Sequence, residues 1–222
     1  KKLPAIRRIS ALEGIEQGIG RAVEMGLPVH YSPGMASELS GEFMGQTVAS
    51  LNILRHVADR CADLEAKLLV SIGGEKPEML PLVDAIVKDS YVKAGKPDQY
   101  SLGMIHYFPG DTIRIGAAGM LVREGCACNI LIGAFRSDAT WIFEPTKAMG
   151  AINIGGTARW FMMYTFAAQC DYILISSEIY AAAAKVSESP AMVASVAAED
   201  VVKYVSLGVL IVATILGLLG LP

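Results

Sequence analysis

The end of the chain constrains it most. Residues 204–221 read YVSLGVLIVATILGLLGL, eighteen positions without a charge. As a helix this run would be about 27 Å long at 1.5 Å per residue, close to the roughly 30 Å of a bilayer's hydrocarbon core. Lys203 and Tyr204 stand at its start, where a snorkelling cation and an interfacial ring belong. A helix buried in a protein core normally carries a polar stripe, and this one offers only Ser206 and Thr214. The run predicts a transmembrane helix over 204–221. Ser189-Pro190 reads as a helix cap with a first-turn proline, so a helical stalk over 189–222 is expected to continue into that span. Ala213, Gly217 and Gly220 form a small-residue face suited to another membrane helix.

The charge is unevenly spread. Lys1, Lys2, Arg7 and Arg8 place four positive charges in residues 1–8, so a total of −3 leaves −7 on the rest. An acidic body has no electrostatic reason to seek nucleic acid. A basic segment beside an apolar anchor suits the anionic cytoplasmic leaflet of a cell membrane, with lipid as a partner. Lys/Arg clusters commonly follow a membrane helix on its cytoplasmic side, so an anchor upstream of Lys1 is expected and the body is placed in the cytoplasm. The four cysteines, Cys61, Cys126, Cys128 and Cys170, include no CxxC pair and read as reduced core residues, with no metal site indicated.

The middle of the chain alternates helical and extended patterns. Ser10 with Glu13 reads as a capping box, and Leu12, Ile15, Ile19 and Ala22 follow at helical spacing until Gly26. Short apolar strands are predicted over 28–32, 67–72, 102–108, 128–135, 151–154 and 172–176. Helices are predicted over 47–66, 78–94, 117–124, 139–149, 158–169 and 178–185. Hydrophobic residues make up 53% of the chain, which excludes disorder and suits strands buried on both faces. The expected fold is α/β: a largely parallel, Rossmann-like sheet of about six strands with helices on both faces, plus the C-terminal membrane helix. Three parts follow: a basic juxtamembrane segment 1–8, an α/β domain 9–188 and the stalk 189–222.

Open parallel sheets bind ligands at the carboxyl ends of their strands. The loops there include Ser32-Pro33-Gly34, Gly73-Gly74-Glu75, Phe108-Pro109-Gly110-Asp111, Arg136-Ser137-Asp138, Gly155-Gly156-Thr157 and Ser176-Ser177-Glu178. Gly155, Gly156, Thr157 and Arg159 combine a strand end, close backbone approach, a hydroxyl and a cation, a set that suits a phosphate. Gly73 and Gly74 offer a weaker version, and Glu178 is a further ligand-binding candidate. Neither GxxxxGK[ST] nor GxGxxG is present. Glu144 and Glu178 would serve acid–base work only if they converged, and His30 and His106 each stand near a strand end. No GxSxG elbow or other catalytic signature occurs, so no catalytic residue is nominated and no cofactor is indicated.

Several stretches carry a resemblance: Glu24-Met25-Gly26-Leu27-Pro28-Val29, Ile132-Gly133-Ala134-Phe135, 150–158 (GAINIGGTA), Cys170-Asp171-Tyr172 and 178–184 (EIYAAAA). In order and spacing they resemble an uncharacterised family of prokaryotic membrane-anchored α/β proteins, a domain of unknown function, over most of 9–203. The resemblance implies an N-terminal membrane helix, a basic stretch, this domain and an apolar end, but no catalytic residues. The expected role is structural: a scaffold in a homo-oligomer or a larger complex with other membrane-protein subunits. The alternative is a module that binds or senses a nucleotide or phosphometabolite at the strand ends, an enzyme among the options.

Overall fold

The computed structural model describes residues 8–35, 38–75, 77–187 and 189–218. Its elements run α1 (Ser10–Met25), β1 (Val29–Ser32), α2 (Met44–Leu64), β2 (Leu68–Gly74), α3 (Leu80–Lys93), β3 (Ile105–Pro109) and α4 (Thr112–Glu124). There follow β4 (Cys128–Ile132), α5 (Asp138–Ala148), β5 (Ile152–Thr157), α6 (Met163–Gln169), β6 (Tyr172–Ile175), α7 (Glu178–Ser187) and α8 (Pro190–Leu218). The strands form one sheet in the order β3-β2-β1-β4-β5-β6, every pair parallel.

The strands are mostly apolar because both faces are covered, and the polar residues among them, such as His30, Ser71, Asn129 and Asn153, are buried too. Leu68, Val70 and Ile72 of β2, with Ile130 and Ile132 of β4, face a core shared with α1, α2, α3 and α7. Leu69 and Leu131 point the other way, into a core with α4, α5 and α6. Each fully buried Leu or Ile contributes roughly 1.5–3 kcal/mol, so a one-residue slip of register would exchange the two sets at large cost.

Some boundaries move. β5 runs on through Gly155-Gly156 to Thr157, where a turn was expected, because both glycines pair with β4 and β6. Leu102–Met104 form a 3-10 turn ahead of β3, and α4 begins at Thr112. Ser10 does not cap α1: its N-cap position is Ile9, and Glu13 is bound instead by Arg8 at 2.5 Å.

The transmembrane expectation is overturned: among the described residues no helix is long and apolar enough to cross a membrane. The first part of α8 packs on α7 and buries Val193. The uncharged part within the described residues, 204–218, spans about 22 Å at 1.5 Å per residue, short of the roughly 20 residues a crossing needs. The rest of the predicted span, 219–221, and the basic positions 1–7 lie outside the described residues. Every residue of α8 from Val201 to Ile215 is exposed. The Lys203 ammonium donates to Ser177 Oγ at 3.1 Å, which fixes that turn of α8 beside the carboxyl end of β6.

Candidate functional site

The strand order reverses between β1 and β4, and a crevice is expected where their following loops diverge. Here the two loops interlock backbone against backbone. Gly34 has φ +97° and a Cβ on it would lie 2.3 Å from the Ala134 carbonyl oxygen. Gly133 has φ +146° and its Cβ would lie 2.0 Å from the Pro33 carbonyl oxygen. Only glycine fits either position.

Side chains then lash the junction together. Asp138, buried at the start of α5, accepts hydrogen bonds from Arg136 N at 2.5 Å and Met35 N at 3.3 Å, joining the β4 and β1 loops. Burial pushes its carboxyl above the usual carboxylate range, with these N–H groups and Arg114 working against the shift. Gln46, buried in the first turn of α2, donates to the Gly133 carbonyl and, at 3.4 Å, to Thr157 Oγ1. Ser50 Oγ donates to the Ile132 carbonyl, and the Tyr31 hydroxyl to the Ser50 carbonyl.

Arg159 sits at the rim. Its backbone N–H donates to Thr157 Oγ1 at 3.2 Å, and its guanidinium lies over the rings of Phe43 (4.3 Å) and Phe161 (4.7 Å). Nη1 is buried without a hydrogen-bond partner among the described residues. A buried donor left unmade costs about 1–3 kcal/mol, and more when charged. Burial first, then the nearby positive charge of Arg136, lowers the guanidinium pKa, while Glu42 and Asp138 oppose that. Arg114 on α4 adds a third cation: it pairs with Asp111 at 3.0 Å, and its Nε is also buried without a partner among the described residues.

Of the residues nominated from sequence, Thr157 and Arg159 meet at this crevice. Gly155 and Gly156 lie inside β5: a Cβ on Gly155 would lie 2.4 Å from Cys170 Sγ, and one on Gly156 3.1 Å from Leu174 Cβ. Gly73 is packed under Ile113, and the Gly74 carbonyl accepts from Gly110 N and the Tyr107 hydroxyl. Glu178 accepts from Ile175 N at 3.3 Å in the turn between β6 and α7. Glu144, on α5, is across the sheet from α7 and does not meet it. Phe43, Gln46 and Arg114 were not nominated: Phe43 and Gln46 meet partners distant in sequence, and Arg114 pairs locally with Asp111 in no recognisable binding motif.

His30 and His106 do not form a site. His30 is wholly buried in β1, its Nδ1 donating to Asn129 Oδ1 at 2.7 Å and its Nε2 accepting from Ser71 Oγ at 2.8 Å. Asn129 Nδ2 continues the row to Asn153 Oδ1 and Thr146 Oγ1. Burial pushes the His30 pKa down to about 4, so the ring is neutral. Cys61, Cys126 and Cys128 are buried, which raises each thiol. No cluster of three His, Cys, Asp or Glu suited to a metal occurs among the described residues. A cleft of about 340 Å³ beside α1 holds Glu13, Glu16, His56 and Lys185, and Glu16 there is already shared by His56 (3.2 Å) and Arg60 (2.9 Å).

No curated protein and no solved structure matches this chain. Residues 1–221 match the family described as Domain of unknown function (DUF6754), and the chain belongs to that family.

Proposed function

We propose that this chain is a binding module for a small molecule bearing an anionic group, held at the β1/β4 crevice by Arg159. The observation that carries this reading is the buried Nη1, without a partner among the described residues, of a guanidinium that lies over Phe43 and Phe161. An anion there would give that N–H an acceptor and offset the repulsion from Arg136. The test is thermal unfolding with inorganic phosphate and pyrophosphate. A ligand at a hundred times its Kd stabilises by about 2.7 kcal/mol, and a chain of this size gains roughly 2–4 °C per kcal/mol. A rise of several degrees is expected in the native chain and its loss in Arg159→Met. No rise at millimolar anion, or the same rise in Arg159→Met, contradicts the reading.

A second reading, a structural component of a homo-oligomer, is favoured by α8. A helix apolar all round is normally covered. On α8, Val205, Gly208, Val209, Val212 and Ala213 line a shallow groove, and Gly208 has nothing against it. A second copy of this helix fits such a groove, because the bare Gly208 lets a like backbone approach closely. A prokaryotic, membrane-associated setting belongs to this reading, since the charge of residues 1–8 is of the sign that an anionic leaflet attracts. Sedimentation decides it: the full chain is expected above monomer mass and a chain ending at Lys203 at monomer mass. Equal masses per chain would dismiss it.

A further inference from the structure

Immediately after Arg159 the surface becomes aromatic. Trp160 is 75% exposed, Tyr164 78% and Phe161 42%. Tryptophan seldom stands so bare, and rings left in water beside a crevice mark a place where something flat comes to rest. Trp160 and Phe161 meet edge to face at 5.7 Å, and Phe161 in turn lies under the Arg159 guanidinium at 4.7 Å. Ring, ring, cation and the further ring of Phe43 thus form one continuous strip. From the Arg159 guanidinium to the Trp160 ring the strip spans no more than about 10 Å, by the sum of those two separations. Glu42, one residue before Phe43, adds an exposed carboxylate within electrostatic reach of Arg159.

We infer that the ligand is a nucleotide, its base stacked on Trp160 and its phosphate on Arg159. This rests on the anion site proposed above and names the ligand class that site takes. Two kinds of recognition coincide on the strip: a π-face for a base and a cationic donor for phosphate. A simple inorganic anion would use only the last. An anionic lipid surface fits less well, because Glu42, Glu75, Asp111 and Glu178 share the same edge of the sheet and would repel it.

Trp141 and Trp160 are the two tryptophans, so a Trp141→Phe chain leaves Trp160 as the only indole reporter. In that chain ADP is expected to quench the fluorescence saturably. Pyrophosphate is expected to compete with ADP without quenching by itself. Replacing Trp160 by Ala as well should weaken ADP about tenfold or more by calorimetry, the usual scale for one stacked base, and leave pyrophosphate affinity unchanged. Trp160 is exposed, so the fold should survive its loss, which circular dichroism verifies. Equal affinity for ADP and pyrophosphate, or an unchanged ADP affinity without Trp160, overturns the nucleotide inference while the anion site stands. Absence of binding by either probe overturns both. A Trp160→Ala chain that loses oligomer mass but keeps ADP affinity assigns the strip to a protein partner and also overturns the inference.

Discussion

His30 shows what a single buried side chain does to the pH response. Its pKa in the fold is about 4 against an ordinary value near 6.5. Above pH 6.5 the folded and unfolded chains both hold it neutral, and it adds no slope. As pH falls from 6.5 towards 4 only the unfolded chain takes up the proton, so stability is lost across that window. By linkage the loss is about 2 kcal/mol between pH 7 and pH 5. His56 and His106, also lowered by burial, act in the same sense, whereas the raised carboxyl of Asp138 acts against them at lower pH. Urea unfolding at pH 7 and 5 should therefore show a steeper loss in the native chain than in His30→Gln, and equal losses would refute this account. The histidine was visible in the sequence, but its environment was not. Its partners Ser71 and Asn129 lie 41 and 99 residues away, and no spacing rule reaches that far.

At the level of single elements, helices and strands were mostly legible, because 3.6-residue and continuous apolar patterns record which side of an element is buried. Gly155-Gly156 misled because two glycines usually break a strand, whereas here Gly155 lets Phe166 and Cys170 lie close against β5 and Gly156 sits between Leu174 and Ile132 of the adjoining strands. The start of α8 was legible from Ser189-Pro190, and its role was not: an uncharged run says what a surface avoids, not what covers it. Since residues 201–215 are exposed, they contribute little packing to the domain. The chain ending at Lys203 is accordingly expected to unfold within about 2 °C of the full chain, at the scale of 2–4 °C per kcal/mol. A drop of 10 °C or more would mean that α8 is part of the folding unit.

For the molecule as a whole, six parallel strands could be expected from six apolar runs separated by helices, but the order β3-β2-β1-β4-β5-β6 could not. Continuous hydrophobicity reports burial and is silent about neighbours. The crevice follows from that order, so Thr157 and Arg159 could be nominated while Gln46 and Phe43 could not. Because Gly34 and Gly133 join the two halves of the sheet, Gly133→Ala is expected to cost about 2 kcal/mol or more, since its Cβ would meet backbone that cannot step aside. A lowered urea midpoint measures it, and an unchanged midpoint would show that the loops can part without penalty.

The hydrogen bond from Lys203 to Ser177 has one more consequence. It starts the bare stretch of α8 at the rim of the sheet into which Arg159 opens. Val201 to Ile215 are exposed, so the rod leaves the domain from that corner, and whatever covers it would meet the protein beside the last strand of the sheet.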